Sequence, residues 1–252
     1  MPETDAPIAF VTGGSRGIGA AAVRALASEG WDVGFTFRAE MAAADSLMHE
    51  VRAGGRRCFS VRCDVAEESS IVHAFDRVTA ELGLMTAFVN NAGVVDYAAR
   101  LDEMSGERLD RMFRINAVGA LLAAREAVRR MSTRHGGRGG SIVNVGSAAA
   151  RLGSPNQYID YAASKAAMDT LTLGLSKEVA QEGLRVNCVR PGITKTDIHA
   201  SGGEPDRAAE MGPLIPLGRA GEPEEIAAVV TWLCSPASSY VTGAIIDASG
   251  GR

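Results

Sequence analysis

The feature that most restricts this chain lies near its start. A short apolar run, Ile8-Ala9-Phe10-Val11, empties into Thr12-Gly13-Gly14-Ser15-Arg16-Gly17-Ile18-Gly19, and an alanine-rich stretch follows from Ala20 to Glu29, stopped by Gly30. Runs that are apolar at every residue suit strands buried on both sheet faces. Strand, glycine loop and helix in succession aim backbone N–H groups and a positive helix end at one point, which makes a seat for a phosphate. The glycine spacing is G-x-x-x-G-x-G. It is neither the G-x-G-x-x-G fingerprint nor a triphosphatase loop ending in Lys-Ser/Thr. The competing reading is a glycine turn that only lets the helix pack closely. The position directly after the first strand favours the phosphate.

The alternation continues to the end of the chain. Strand-like runs at Val33–Phe37, Cys58–Cys63, Ala87–Val89, Ile142–Val145, Leu184–Val189 and Ile245–Asp247 are separated by helical patterns. One helix covers Glu40–Ala53, with Leu47, Met48 and Val51 on one face, and another covers Glu67–Leu82, with Ile71, Val72, Phe75, Val78 and Leu82. A long helical stretch over Gly106–Thr133 carries Leu109, Met112, Phe113, Val118, Leu121 and Leu122, with Asn116 in its middle. Asn is a poor interior helix former, so an amide there should have a specific hydrogen-bonding task. A further helix follows Pro155 and runs to about Gln181, and Pro223 with Glu224 and Glu225 opens the last one. The pattern predicts a single α/β domain over residues 1–252, with a doubly wound, seven-stranded parallel sheet and helices on both faces. The segment Thr194–Pro216 is loose and mixed in charge, and reads as a mobile lid.

Ligands of such sheets sit at the carboxyl ends of the strands, so the residues there are the candidates. In dinucleotide folds the end of the second strand faces the adenosine ribose, where an acid accepts from the ribose hydroxyls of NAD. Here Phe37 and Arg38 occupy that place, with Arg16 nearby in the glycine loop. Two guanidinium groups suit a ribose 2′-phosphate, so NADP(H) is expected ahead of NAD(H). Asp64, with Val65 beside it, is placed to accept from the adenine amino group. Asn91 suits ribose contact or bracing of the crevice, and Gly93 permits close approach. Ser147 ends the fifth strand and points into the crevice, and G-x-S-x-G is absent.

Tyr161 and Lys165 stand four apart on a helix, so they share a face about 6 Å apart along the axis. A cation that near favours the phenolate, lowering a pKa of roughly 10 by about 1–3 units. The pair can therefore serve as an acid/base couple, although most such spacings on helices are coincidences. Tyr158 lacks a lysine four residues on and reads as a pocket residue.

Composition excludes several classes. The net charge of −4 lacks the basic excess of a nucleic-acid binder, and 5% aromatics leaves little for base stacking. Cys58, Cys63, Cys188 and Cys234 are scattered and form no C-x-x-C, as in a reduced cytoplasmic protein. The four histidines lack zinc-ligand spacing, so no metal is expected. Met1–Pro7 is unlike a signal peptide, and no apolar run reaches the roughly 20 residues of a membrane helix.

TGGSRGIG, NNAG, Asn116, Ser147, YAASK and Arg190-Pro191-Gly192 occur in the order and spacing of the short-chain dehydrogenase/reductases, which the whole chain resembles. The resemblance is nearest to bacterial sugar-dehydrogenase-like members and to the 3-oxoacyl-carrier-protein reductases, with the run His199–Pro205 like the former. It implies a Rossmann fold and an NAD(P)(H)-dependent oxidoreductase that interconverts a carbonyl and a secondary alcohol. It makes Tyr161 the general acid/base, Lys165 the holder of the nicotinamide ribose, Ser147 the partner of the substrate oxygen and Asn116 the holder of a water linked to Lys165. Gly13, Ser15, Arg16, Gly17, Ile18 and Gly19 would form the phosphate loop. Asp64 and Val65 would border adenine and Asn91 the ribose, with Gly93, Tyr161, Pro191, Gly192, Thr194 and Thr196 also beside the coenzyme. Thr194 departs from the branched apolar residue of many relatives, at a contact made by backbone. The resemblance also implies a homotetramer, or a homodimer, built through the helices of Asn116 and Tyr161. A non-catalytic dinucleotide sensor is the reading from another class, and it has no use for these four polar residues together. A carrier-protein partner would need a basic patch, for which Arg129, Arg130 and Arg134 are the candidates.

Overall fold

A computed structural model describes residues 6–252, and residues 1–5 of the Met1–Pro7 stretch lie outside the described residues. The strands are β1 (Ile8–Val11), β2 (Asp32–Phe37), β3 (Cys58–Arg62), β4 (Ala87–Asn90), β5 (Gly140–Val145), β6 (Leu184–Pro191) and β7 (Ile245–Ala248). They form one sheet in the order β3-β2-β1-β4-β5-β6-β7, every neighbouring pair parallel. The chain winds outward from β1 to β3, then returns to place β4 on the other side of β1. That reversal opens a crevice at the carboxyl ends of β1 and β4.

The helices are α1 (Gly17–Ser28), α2 (Met41–Ala53), α3 (Glu68–Leu82), α4 (Gly106–Phe113), α5 (Ala120–Met131), α6 (Ala149–Leu152), α7 (Ile159–Val179), α8 (Ile198–Ser201), α9 (Arg207–Met211) and α10 (Pro223–Cys234). Strand side chains alternate between faces, so β1 feeds two cores. Ala9 and Val11 join Val23 and Leu26 of α1, Leu47 of α2 and Val230 and Leu233 of α10. Ile8 and Phe10 join Phe75 and Val78 of α3, Met131 of α5 and Val179 of α7. Phe10 meets Phe75 edge-on at 4.8 Å between ring centres, with Phe88 at 5.2 Å from Phe75. Truncating one such phenylalanine to alanine costs about 3–5 kcal/mol. Gly34 on β2 lets α3 lie close, since a Cβ there would stand 2.6 Å from Val78.

Three expectations need correction. The stretch Gly106–Thr133 is not one α-helix: a wider π-helical segment, Arg114–Gly119, separates α4 from α5. The Asn116 amide is drawn to the loop after β4, and Gly119 lies so close to Val65 that a Cβ would sit 2.4 Å from its carbonyl oxygen. Phe113, Val118 and Leu121, read as part of an apolar face, are 40%, 37% and 48% exposed. The lid segment is not loose throughout, because it carries α8, α9 and a turn of 3-10 helix at Gly212–Leu214.

Candidate active site

The glycine loop lies at the carboxyl end of β1. Gly13 (φ 66°) and Gly17 (φ 53°) adopt left-handed backbone that side chains rarely tolerate. A Cβ on Gly19 would fall 2.2 Å from the Gly13 carbonyl oxygen. Gly13 and Gly14 donate their N–H groups to the Thr36 hydroxyl and carbonyl, at 2.9 and 2.8 Å, which ties the loop to β2. α1 then starts with no side-chain cap and no acid in its first turn. Its first N–H groups are therefore left for an anion. Asn91 Nδ2 donates to the Thr12 and Gly13 carbonyls, at 2.9 and 3.1 Å, so its side chain braces the loop against the end of β4.

Arg16 and Arg38 are exposed on the wall of the same cleft, and neither forms a salt bridge among the described residues. Asp64 and Val65 line this end too, with one Asp64 carboxylate oxygen accepting from the Ala66 N–H at 3.0 Å. The donor set fits a diphosphate with a further phosphate near the two guanidinium groups.

Across the cleft, α7 carries Tyr161 and Lys165 on one face. The Lys165 ammonium lies 5.9 Å from the centre of the Tyr161 ring and donates to the Val145 carbonyl at 2.9 Å. Burial pushes this ammonium down to about 8, while Cys188 and Asp169 pull the other way. The sequence expectation of a lowered phenol is not met. Burial pushes the Tyr161 phenol above its ordinary value, and the hydrogen bond with the Ser147 hydroxyl offsets only part of that rise. Gly93 approaches closely, since a Cβ there would sit 3.3 Å from Lys165 Nζ and 3.2 Å from Asn116 Oδ1.

Asn116 is buried and does not line the cleft. Its Oδ1 accepts from the Val94 N–H at 2.8 Å, and its Nδ2 donates to the Val94 carbonyl at 2.8 Å and the Ser164 hydroxyl at 3.1 Å. The amide is thus a clip between the loop after β4 and α7, which is the task its helical position called for.

All the other candidate residues line one cleft of about 690 Å³: Gly13, Ser15, Arg16, Gly17, Ile18, Gly19, Arg38, Asp64, Val65, Asn91, Gly93, Ser147, Tyr161, Lys165, Pro191, Gly192, Thr194 and Thr196. Sequence reading missed two supporting groups. Asp160 is buried and receives Arg108 through Nε at 2.8 Å and Nη2 at 3.2 Å, while accepting from the Tyr161 N–H at 2.8 Å. An acid in the first turn of α7, next to the candidate tyrosine, was the available signal. Arg207 also lines the cleft and is bonded to Glu204 and Gln157; its mixed-charge surroundings hid it. Among the described residues no cluster of His, Cys, Asp and Glu could hold a metal ion, and no helix is long and apolar enough to cross a membrane.

Comparison with known proteins agrees with this geometry. The sequence profile of a family described as enoyl-(acyl carrier protein) reductase matches residues 13–252. The oxidoreductase YgfF of Escherichia coli K12 is 46% identical over 97% of this chain and 99% of its own length. The cis-4-hydroxycyclohexanecarboxylate dehydrogenase of Sinomonas cyclohexanicum is 38% identical, covering 97% and 95% of the two chains. A blue fluorescent protein from a metagenomic library, solved in complex with NADPH, superposes with a TM-score of 0.88 at 35% identity over 97% of each chain. With the fold, the glycine loop and the Ser147, Tyr161 and Lys165 cluster in place, these likenesses establish that the chain belongs to the short-chain dehydrogenase/reductase family of oxidoreductases.

Proposed function

We propose that this protein is an NADP(H)-preferring oxidoreductase that interconverts a carbonyl and a secondary alcohol on a small molecule. The observation that carries the reading is the meeting of Ser147, Tyr161 and Lys165 in the same cleft as an uncapped helix end and two guanidinium groups that have no carboxylate partner among the described residues. The solved relative holding NADPH supports the coenzyme. NAD(H) is the weaker alternative, because Arg38 stands where an acid would grip a free ribose.

The phosphate loop of Gly13, Ser15, Arg16, Gly17, Ile18 and Gly19 holds the diphosphate, and Arg38 with Arg16 grips the 2′-phosphate. Asp64 and Val65 border the adenine; Asn91 and Gly93 shape the floor. Pro191, Gly192, Thr194 and Thr196 line the nicotinamide side. When bound, the coenzyme supplies or takes up a hydride. The chain's own part is the proton. Ser147 hydrogen-bonds the substrate oxygen, and Tyr161 gives that oxygen a proton in reduction or takes one in oxidation. Lys165 orients the coenzyme ribose and holds positive charge beside the phenol. Asn116 fixes the loop and α7 at their present spacing and holds the water of the proton path. Tyr158 is the weaker acid candidate: burial and its bond to Glu204 push its phenol up to about 12, and its O–H is donated to that carboxylate at 2.8 Å.

The substrate class we favour is a sugar, polyol or similar small hydroxy compound. A 3-oxoacyl group on a carrier protein is the second reading. It needs a free basic patch, whereas Arg129 pairs with Glu126, Arg130 with Glu126 and Asp76, and Arg134 with Glu182. We further propose one catalytic domain over 1–252 with a lid at 194–216, acting in the cytoplasm. Self-association to a homotetramer, or homodimer, would cover Phe113, Leu121 and Leu173, which are exposed on α4, α5 and α7. A panel of carbonyls and alcohols assayed with NADPH, NADH and their oxidised forms tests the reading. Turnover with NADPH ahead of NADH supports it. A clear NADH preference overturns the coenzyme assignment, and a lack of coenzyme binding overturns the whole.

A further inference from the structure

The run His199–Pro205 resembled sugar dehydrogenases in sequence but had no role in the reaction. The structure shows what it builds. His199 Nε2 meets the Thr194 carbonyl at 2.9 Å, and the Glu204 N–H returns to the His199 carbonyl at 2.9 Å, closing the loop around α8. Gly203, at φ 81°, seats this loop against Tyr97, where a Cβ would stand 2.5 Å from the ring. Glu204 then accepts from the Tyr158 hydroxyl at 2.8 Å and from Arg207 Nη1. Arg207 Nη2 donates to Gln157 Oε1 at 2.8 Å, and its guanidinium lies 5.1 Å over the Tyr158 ring.

The two charges differ in place. Arg207 lines the cleft with its side chain only 11% exposed, whereas Glu204 stands outside the lining at 32% exposure. The carboxylate therefore neutralises the guanidinium from behind. Arg207 Nε–H makes no hydrogen bond among the described residues. The cleft thus meets a donor whose charge is already balanced. The other ionisable groups near it leave this balance in place: burial keeps His199 below its ordinary value, and Asp197 and Arg252, one of each sign, also line the cleft.

We infer that Arg207 and Glu204 form a specificity-determining pair: Arg207 donates to a neutral oxygen of the substrate away from the reacting carbon, and Glu204 removes the attraction a bare guanidinium would have for an acidic substrate. This deepens the reading of the cleft as a carbonyl and alcohol site, and rests on it. It selects neutral, multiply oxygenated molecules over carboxylates.

The test compares two ligands that share a secondary ring hydroxyl and differ in the remote group, 4-(hydroxymethyl)cyclohexanol and 4-hydroxycyclohexanecarboxylate, by calorimetry on the full chain with and without NADP. The wild type should bind the neutral diol at least as well as the acid. Glu204→Gln leaves Arg207 uncompensated and should shift the affinity ratio toward the acid by about tenfold or more, as for a hydrogen bond to a charged group. Glu204→Asp should keep the wild-type ratio, and Glu204→Gln with Arg207→Gln should lose the shift. A purely structural clasp would weaken both ligands alike. An unchanged ratio in Glu204→Gln, or no binding of the acid to it, overturns the inference. Loss of NADP binding with the ratio shift intact would sink the reading of the cleft and leave the pair standing.

Discussion

At the end of the cleft proposed for the coenzyme, the groups offered are backbone N–H groups and glycines within eight consecutive residues, Thr12–Gly19, with Arg16 among them and Arg38 beside them, neither in a salt bridge among the described residues. At the end beneath residues 194–216, proposed as a lid, the polar wall is made of side chains held by other side chains: Tyr158 by Glu204, and Gln157 by Arg207, at sequence separations of 46 and 50. A phosphate asks the same of every protein, so a local backbone device serves it. A substrate differs from enzyme to enzyme, and a lid stitched by long-range pairs can change its contacts without disturbing the sheet. The face of α7 proposed to be catalytic lies between the two, with Tyr158 in the clasp one turn before Tyr161.

That contrast can be broken from either side. The largest effect is expected between the ends, at Lys165→Met, which should lower kcat by about 10²-fold or more. Its stability should move the opposite way. Lys165 titrates at about 8 in the fold against an ordinary 10.5. The unfolded chain therefore holds this proton more tightly, and the group destabilises the fold fully below about 8, a penalty that fades as pH rises toward 10.5. The variant should match or exceed the wild type in urea at pH 7, and its advantage should shrink by pH 10. A large loss of stability at pH 7 would show that the bond to Val145 outweighs the burial.

At the coenzyme end alone, Arg38→Asp should reduce the preference for NADPH over NADH by about 10–100-fold, as expected for the loss of a charge-assisted contact to phosphate. Affinity for the lid-end ligands should not change. A preference that survives the substitution would move the 2′-phosphate contact elsewhere. The smallest effect is in the pH profiles. Burial raises the Tyr161 phenol, so the proton needed for reduction stays in place through neutrality and is lost only as pH rises past the raised value. Carbonyl reduction should thus be flat near pH 7 and fall in alkali, while alcohol oxidation should climb with pH. The apparent values belong to the Tyr161 and Lys165 pair together. An oxidation rate that falls between pH 7 and 9 would contradict this arrangement.

Much of the frame was legible in the sequence because its signals are local. The strand before Thr12, the glycine spacing and the four-residue step from Tyr161 to Lys165 each describe a few adjacent residues, and the structure sets the glycine loop and the Tyr161 and Lys165 pair in one cleft. Asn116 announced itself by being out of place in a helix, but the π-helical turn it sits in depends on Val94 and Ser164, 22 and 48 residues away. The phenol was misjudged for a similar reason. Spacing revealed the lysine nearby, but not the burial that acts on both groups. The clasp was the least legible, since Glu204 and Arg207 in a mixed-charge loop look like any solvated pair until the fold puts Tyr158 and Gln157 beside them.

The central claim is that Tyr161 moves the proton in a cleft that binds the coenzyme without it. The direct measurement is Tyr161→Phe, with NADPH affinity by calorimetry and turnover of an active carbonyl followed on the same sample. The expected result is unchanged affinity with a fall of about 10²–10⁴-fold in kcat; turnover equal to the wild type would contradict it.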